Sequence, residues 1–241
     1  SPLCATQASW CWGCRAKTRR SPSTALGRSL SMPIPILGLS GQIDYQLTDN
    51  LELVSITGYR TYDASHHIDL DGSSLPLVQQ SFDMGYTSFT QELRLNGAIG
   101  QLIDYTLGGY YFEGDGYSKA LLDFPLPANP YYRGIEYIKT DSKSAFVHAV
   151  VKVADGFNIS GGLRYTDESK DITFERQNLL PGSTYTQGPL NGVTRSFRGD
   201  RWDYRISLDY RFSDAMMVYG SVSTGFKGGG VNPRPLFATQ G

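Results

Sequence analysis

A chain of 241 residues, 40 % apolar and with a formal net charge of −1, has room for one large domain or for part of something larger. Its mean hydropathy is −0.30, and no apolar run approaches the roughly 18 residues of a spanning helix, which excludes a helical membrane protein but not one that crosses with strands. Twenty-seven glycines and sixteen tyrosines favour a β architecture with many turns, and the near-neutral charge gives no reason to expect a nucleic-acid partner.

The first 38 residues differ in character from the remainder of the chain. They hold all three cysteines (Cys4, Cys11, Cys14), two of the three tryptophans, and five bases with no acid. Residues 39–241 carry 17 bases and 23 acids, net −6 (17 − 23). No period of 2 or 3.6 is present in the first stretch, and Pro2, Pro22, Pro33 and Pro35 interrupt it, so residues 1–38 are expected to be an unstructured or foreign segment. Cys11-Trp12-Gly13-Cys14 has the spacing of a zinc or redox pair but no second pair and no βαβ context, so chance explains it. The apolar patch Met32–Leu39 is short and broken by two prolines, which leaves no export signal to read.

From Leu39 the pattern is strand and turn, tight turn alternating with long connection. Strands are expected at about 40–47 and 51–68 around Thr48-Asp49-Asn50, and at 82–96 and 102–118 around Gly97–Gln101. Two more are expected at 139–153 and 157–175 around Ala154-Asp155-Gly156, a strong hairpin signal. Longer connections cover 70–80, 120–138 and 176–196. In the third strand Phe89, Leu93 and Leu95 oppose Ser88, Thr90, Glu92, Arg94 and Asn96, with Gln91 out of place on the apolar side. The second strand (Leu51, Leu53, Val54, Ile56) is ambiguous.

The last hairpin has the clearest pattern. Trp202, Tyr204, Ile206, Leu208, Tyr210 and Phe212 share one parity; Arg201, Asp203, Arg205, Ser207, Asp209 and Arg211 share the other. After Ser213-Asp214-Ala215 a partner strand runs over 216–227. A soluble sheet can alternate too, but its oily face is rich in Val, Ile and Leu. This one is largely aromatic and faces a dense mixture of charges, as the wall of a transmembrane barrel requires.

Strands longer than the soluble mean of about 5–6 residues, with tight and long connections in regular alternation, give an outer-membrane barrel layout. If the tight turns are periplasmic, both ends of the strand region are extracellular. Backbone edges cannot stay unpaired in lipid, so more strands are expected on both sides. The expected fold is all-β: an incomplete antiparallel transmembrane barrel of about eight strands, forming a curved open sheet over 39–241.

Four segments bring a family into view: Leu53–Arg60 (LVSITGYR), Phe89–Leu95 (FTQELRL), Gly161–Lys170 (GGLRYTDESK) and Ser223–Asn232 (STGFKGGGVN). In this order they resemble the barrel region of a TonB-dependent outer-membrane receptor, over roughly Leu39–Pro235. The resemblance implies a 22-stranded barrel plugged by an N-terminal domain. It would import a scarce nutrient such as a ferric siderophore, with outer-membrane lipid and, through the plug, the TonB energy-transducing complex as partners. No plug or energy-coupling box is visible, and Val231 stands where the pattern expects an aromatic residue.

Glu92, Arg94, Arg164, Asp203 and Arg205 are expected to face the lumen. There they would touch a plug, line a transport path, or form cross-strand charge pairs that hold the wall together. Phe124, Tyr131 and Tyr132 fall in a long connection and are candidates for holding a ligand from outside or for an interfacial girdle. A barrel enzyme is the alternative, built on His66 and His67 beside Asp63, Asp69 and Asp71. Neighbouring residues on a strand point to opposite faces, which weakens it. Asp69-Leu70-Asp71-Gly72 lacks the third acid and closing Glu of a calcium loop, and Gly228–Gly230 lacks the Lys-Ser or Lys-Thr of a phosphate loop; it is read as a flexible strand exit. A passive porin or adhesion barrel is a third reading. No catalytic residue, metal or cofactor is expected.

Overall fold

The computed structural model describes residues 34–69, 79–123, 132–179, 188–230 and 232. They form a single antiparallel sheet in sequence order: β1 (Ile36–Thr48), β2 (Leu51–Asp69), β3 (Gln79–Ile99), β4 (Ile103–Asp123), β5 (Tyr132–Ala154), β6 (Phe157–Asn178), β7 (Val193–Ser213) and β8 (Met216–Ser223). A 3-10 turn, Gly188–Leu190, precedes β7. β1 pairs with β2 and β8 with β7, with no pairing of β1 to β8, so the sheet is open as expected. No described helix is long and apolar enough to cross a membrane, which says nothing about strands.

The strands exceed the lengths read from the sequence. β5 begins at Tyr132 and not near 139, and β7 at Val193, inside the connection expected to run to 196. The added residues alternate poorly, yet their ladders continue: Ile138 opposes Ile172, and Thr173 opposes Thr194 with the two hydroxyls 2.8 Å apart. β8 is shorter than expected and ends at Ser223.

All four tight turns lie at one end of the sheet. Three are preceded by a register shift, between Gln46 and Thr48, Lys152 and Ala154, and Arg211 and Ser213, as hairpin loops with a bulge show. Gly156 takes φ 73° in its turn, and its carbonyl accepts from Arg211 N at 2.7 Å.

Register also settles the ambiguous second strand. Leu53 opposes Tyr45 and Leu95, while Val54 faces the other way, opposite Asp44 and Arg94, and is buried. Gln91 does lie on the apolar face. Its amide is satisfied there, accepting from Thr57 Oγ1 at 2.6 Å and donating to Ser55 Oγ at 3.0 Å.

The two faces are unlike in crowding as well as in polarity. The buried side chains Val54, Phe82, Glu136, Ser144, Thr166, Ile172, Phe174 and Arg176 all belong to the polar parity. Leu39, Ile43, Leu93, Leu107, Val147, Leu163, Ile206 and Leu208, of the other parity, are exposed. Side chains crowd on the inside of a curved sheet and fan apart outside, so the polar face is the concave one.

The apolar face is bounded by two aromatic rows. Tyr45, Tyr105, Phe157 and Tyr210 lie near the tight turns; Tyr59, Phe89, Tyr111, Tyr165 and Trp202 lie farther along the strands. Phe157 meets Tyr210 edge-on at 6.2 Å, and Tyr165 lies 5.0 Å from Trp202. The eight-residue step from Trp202 to Tyr210 is about 26 Å along a strand, which suits a tilted crossing of hydrocarbon. Beyond the second row this face turns polar. Lys119 approaches Asp83 at 3.7 Å and the Tyr117 hydroxyl donates to Asp63 at 3.4 Å. Burial and then the Asp63 carboxylate push the Tyr117 phenol up, keeping it the donor.

Candidate functional site: the polar inner face

The five charged residues singled out by parity do share the concave face. Glu92 opposes Tyr110, Arg94 opposes Gly108, Arg164 opposes both Phe146 and Asp203, and Arg205 opposes Gly162. Their ion pairs, however, do not run between strands. Glu92 pairs with Arg94, Glu168 with Lys170 at 2.7 Å and Asp203 with Arg201 at 3.6 Å, each two residues apart on one strand. Alternate residues of a strand project from the same face about 6.6 Å apart, a gap these long side chains close without a neighbour's help.

Arg164 does not form an ion pair with Asp203, which faces it across the ladder. Its guanidinium lies 5.6 Å from the Tyr110 ring and 5.7 Å from the Phe146 ring, and its Nε donates to Thr166 Oγ1 at 3.3 Å. The Phe146 ring fits because Gly108 opposite has no Cβ to meet it. Asp203 is left with Arg201 as its charge partner, and its buried Oδ1 has no hydrogen bond among the described residues. Nearer the turns the face is a polar ladder: Thr106 donates to Asn96 at 2.9 Å, Asn96 to Glu52 at 3.2 Å and Asn158 to Asp209 at 2.7 Å.

Sequence reasoning missed the inner aromatics. Tyr62 and Tyr86 lie 6.0 Å apart. The Tyr86 ring covers Gly114 and Gly116, where Cβ atoms would collide with it. Large rings opposite glycines were the available signal: ring and gap complement one another.

At the end away from the tight turns the inner face is closed by packing. Arg176 and Glu136 form a buried ion pair at 2.6 Å, and the Arg176 guanidinium lies 5.1 Å from the Phe174 ring. Asn191 Oδ1 accepts from Arg176 N at 2.9 Å. Leu190 packs on Ile172 and Phe174, with Ile138 beside them. The Arg176–Glu136 pair is one of two cross-strand charge pairs described on this face, the other being Lys152 with Asp104 at 2.7 Å near the tight turns, and it lies beside residues whose pattern predicts only a long connection.

The histidines part as strand geometry requires. His66 stacks on Phe82 at 5.4 Å on the inner face, while His67 Nδ1 lies 2.8 Å from Ser81 Oγ on the outer. His148 opposes Gly162 on the inner face. Phe124 and Tyr131 lie outside the described residues, as does Asp71; Tyr132 opens β5, its backbone paired with Asn178. No group of metal-ligating side chains occurs among the described residues. Of Gly228–Gly230, read as a flexible strand exit, the first two are packed: a Cβ on Gly228 would run into the Glu168 carboxylate, and one on Gly229 into the Phe197 ring.

An open antiparallel sheet with a charged concave face and a girdled apolar convex face is a section of a barrel wall. The chain belongs to the TonB-dependent receptor-like β-barrel family, whose model matches residues 20–240. This is a family of transporters and receptors of the Gram-negative outer membrane, not of enzymes. Solved structures agree in fold. The ferric yersiniabactin uptake receptor FyuA of Yersinia pestis superposes with a TM-score of 0.66 at 20 % identity, over 83 % of this chain and 29 % of its own. The siderophore receptor PiuA of Acinetobacter baumannii gives 0.58 at 12 %, over 78 % and 32 %. The ferric-catecholate import receptor Fiu of E. coli K12 gives 0.53 at 11 %, over 79 % and 35 %. The chain thus spans about a third of the length of these receptors.

Proposed function

We propose that this chain forms eight strands in the wall of an outer-membrane receptor that imports a scarce nutrient such as a ferric siderophore. The observation that carries the reading is the pairing of a charged, crowded concave face with a convex apolar band bounded by two aromatic rows. In this reading the remaining strands pair with the free edges of β1 and β8, and a plug occupies the interior. Glu92, Arg94, Arg164, Asp203 and Arg205 face that plug or the path beside it, and Asp203 Oδ1, buried without a hydrogen bond among the described residues, is the most direct candidate for a plug contact. Energy reaches the plug from the TonB complex. The same reading divides the chain near residue 38, with β1 reaching back to Ile36, and sets Phe124, Tyr131 and Tyr132 on the outer, ligand-meeting side.

The test is uptake of radiolabelled ferric siderophores by a Gram-negative strain lacking its own receptors and expressing the full-length protein. Uptake that needs TonB, from protein found in the outer-membrane fraction, is the expected result. Equal uptake without TonB would make the protein a passive pore.

A further inference from the structure

β8 leaves the sheet early. Its last ladder pair is Arg205 with Ser223, although β7 extends back to Val193. At the departure point Thr224 N donates to Tyr204 O at 2.9 Å, and Tyr204 N donates to Thr224 Oγ1 at 3.0 Å, a side chain taking over from the ladder. Among the described residues nothing pairs with β7 beyond Tyr204 on that side. The departing chain turns inward, because Gly228 and Gly229 meet Glu168 and Phe197, and both belong to the concave parity, opposite Gly199 and Lys170. Lys170 Nζ donates to Gly229 O at 3.2 Å while its ion pair with Glu168, at 2.7 Å, holds it in place.

We infer that Thr224–Gly230 is a strap that bends off β8 across the inner face, is latched there by Lys170, and closes this side of the interior until the latch opens. The glycines have a steric reason. Only residues without a Cβ let the backbone lie against the Glu168 carboxylate and the Phe197 ring, whereas Gly225 and Gly230 meet nothing within 4 Å. The latch is one hydrogen bond to a backbone carbonyl, so it tolerates sequence change in the strap and opens without breaking a strand pair. The functional half of this inference rests on the receptor reading, in which the concave face lines the interior; the position of the strap does not.

The experiment uses full-length protein in outer-membrane vesicles with Cys4, Cys11 and Cys14 replaced by Ser. The Gly229→Cys and Phe197→Cys pair should form a disulfide under mild oxidation, because the ring that Gly229 touches gives way to a sulfur within reach, and joined peptides report it by mass spectrometry. The Gly229→Cys and Arg198→Cys pair should not, since Arg198 projects from the other face. Lys170→Gln should slow the first disulfide at least fivefold, and Lys170→Arg should restore it. Equal yields from the two pairs, or a rate indifferent to Lys170→Gln, would overturn the strap or its latch. Uptake is the second readout. Loss on locking with recovery on reduction supports closure, and uptake at the unlocked rate overturns it. If the unlocked protein takes up no ferric siderophore, the receptor reading and the closure built on it both fail, and the disulfides still decide the strap.

Discussion

Gly156 and Gly100 both sit in tight turns at positive φ, 73° and 58°, but only Gly156 is also closely approached: a Cβ there would lie 2.5 Å from the Arg211 carbonyl oxygen. Gly100→Ala therefore carries only the cost of a left-handed alanine, about 1 kcal/mol, while Gly156→Ala should cost at least about 2 kcal/mol more, since backbone must shift. Urea unfolding of the full-length protein in vesicles measures both, and similar losses would mean that the β5–β6 turn relaxes. The buried Glu136–Arg176 pair sets a second contrast. Glu136→Gln strands a buried guanidinium charge and should cost on the order of 3 kcal/mol, whereas Glu136→Leu with Arg176→Met should cost much less, because no charge is left behind. For the histidines, His66→Ala with His67→Ala should leave any hydrolytic background unchanged. A ring stacked on Phe82 and one beside Ser81 on the opposite face share no substrate, and lost esterase or protease activity would overturn that.

The β7–β8 hairpin shows how much of an element was legible. Between Arg201 and Phe212 the sequence alternates without a fault, and the structure keeps each residue on the face its parity assigned. Upstream, from Val193 to Asp200, apolar side chains no longer separate from polar ones, because both faces there carry polar groups. A period of 2 reads a difference between faces and is silent where the faces agree. The same blindness hid the start of β5. The inner charges were legible as a face but not as pairs, since parity says which side a residue takes and not which neighbour its side chain prefers. Lipid exposure should separate two adjacent positions. Leu208→Arg, on the lipid side between mid-bilayer and the Tyr210 row, should cost on the order of 2 kcal/mol of barrel stability. Asp209→Asn should cost far less, because Asn158, its partner at 2.7 Å, can rehydrate. Equal penalties under urea titration in vesicles would exchange inside and outside.

For the whole molecule, the open order β1 to β8 leaves two rows of backbone donors and acceptors that hydrocarbon cannot satisfy. The 241-residue chain alone should therefore fail to yield a protease-protected monomer in vesicles, while the same strands within the full-length protein should be protected. Protection of the isolated chain at high dilution would show that its edges close on each other. The hairpin order and the absence of closure came from alternation and turn spacing alone; the strap and the Arg176 knot did not, because both depend on tertiary contacts between segments far apart in sequence. The ion pairs within single strands have a bearing on how such walls arise. Glu92 with Arg94, Glu168 with Lys170 and Asp203 with Arg201 carry acid and base together. A hairpin copied or deleted with such a pair takes that pair's neutralisation with it, whereas Lys152 with Asp104, at 2.7 Å, ties β5 to β4 and leaves one charge behind when either hairpin is lost.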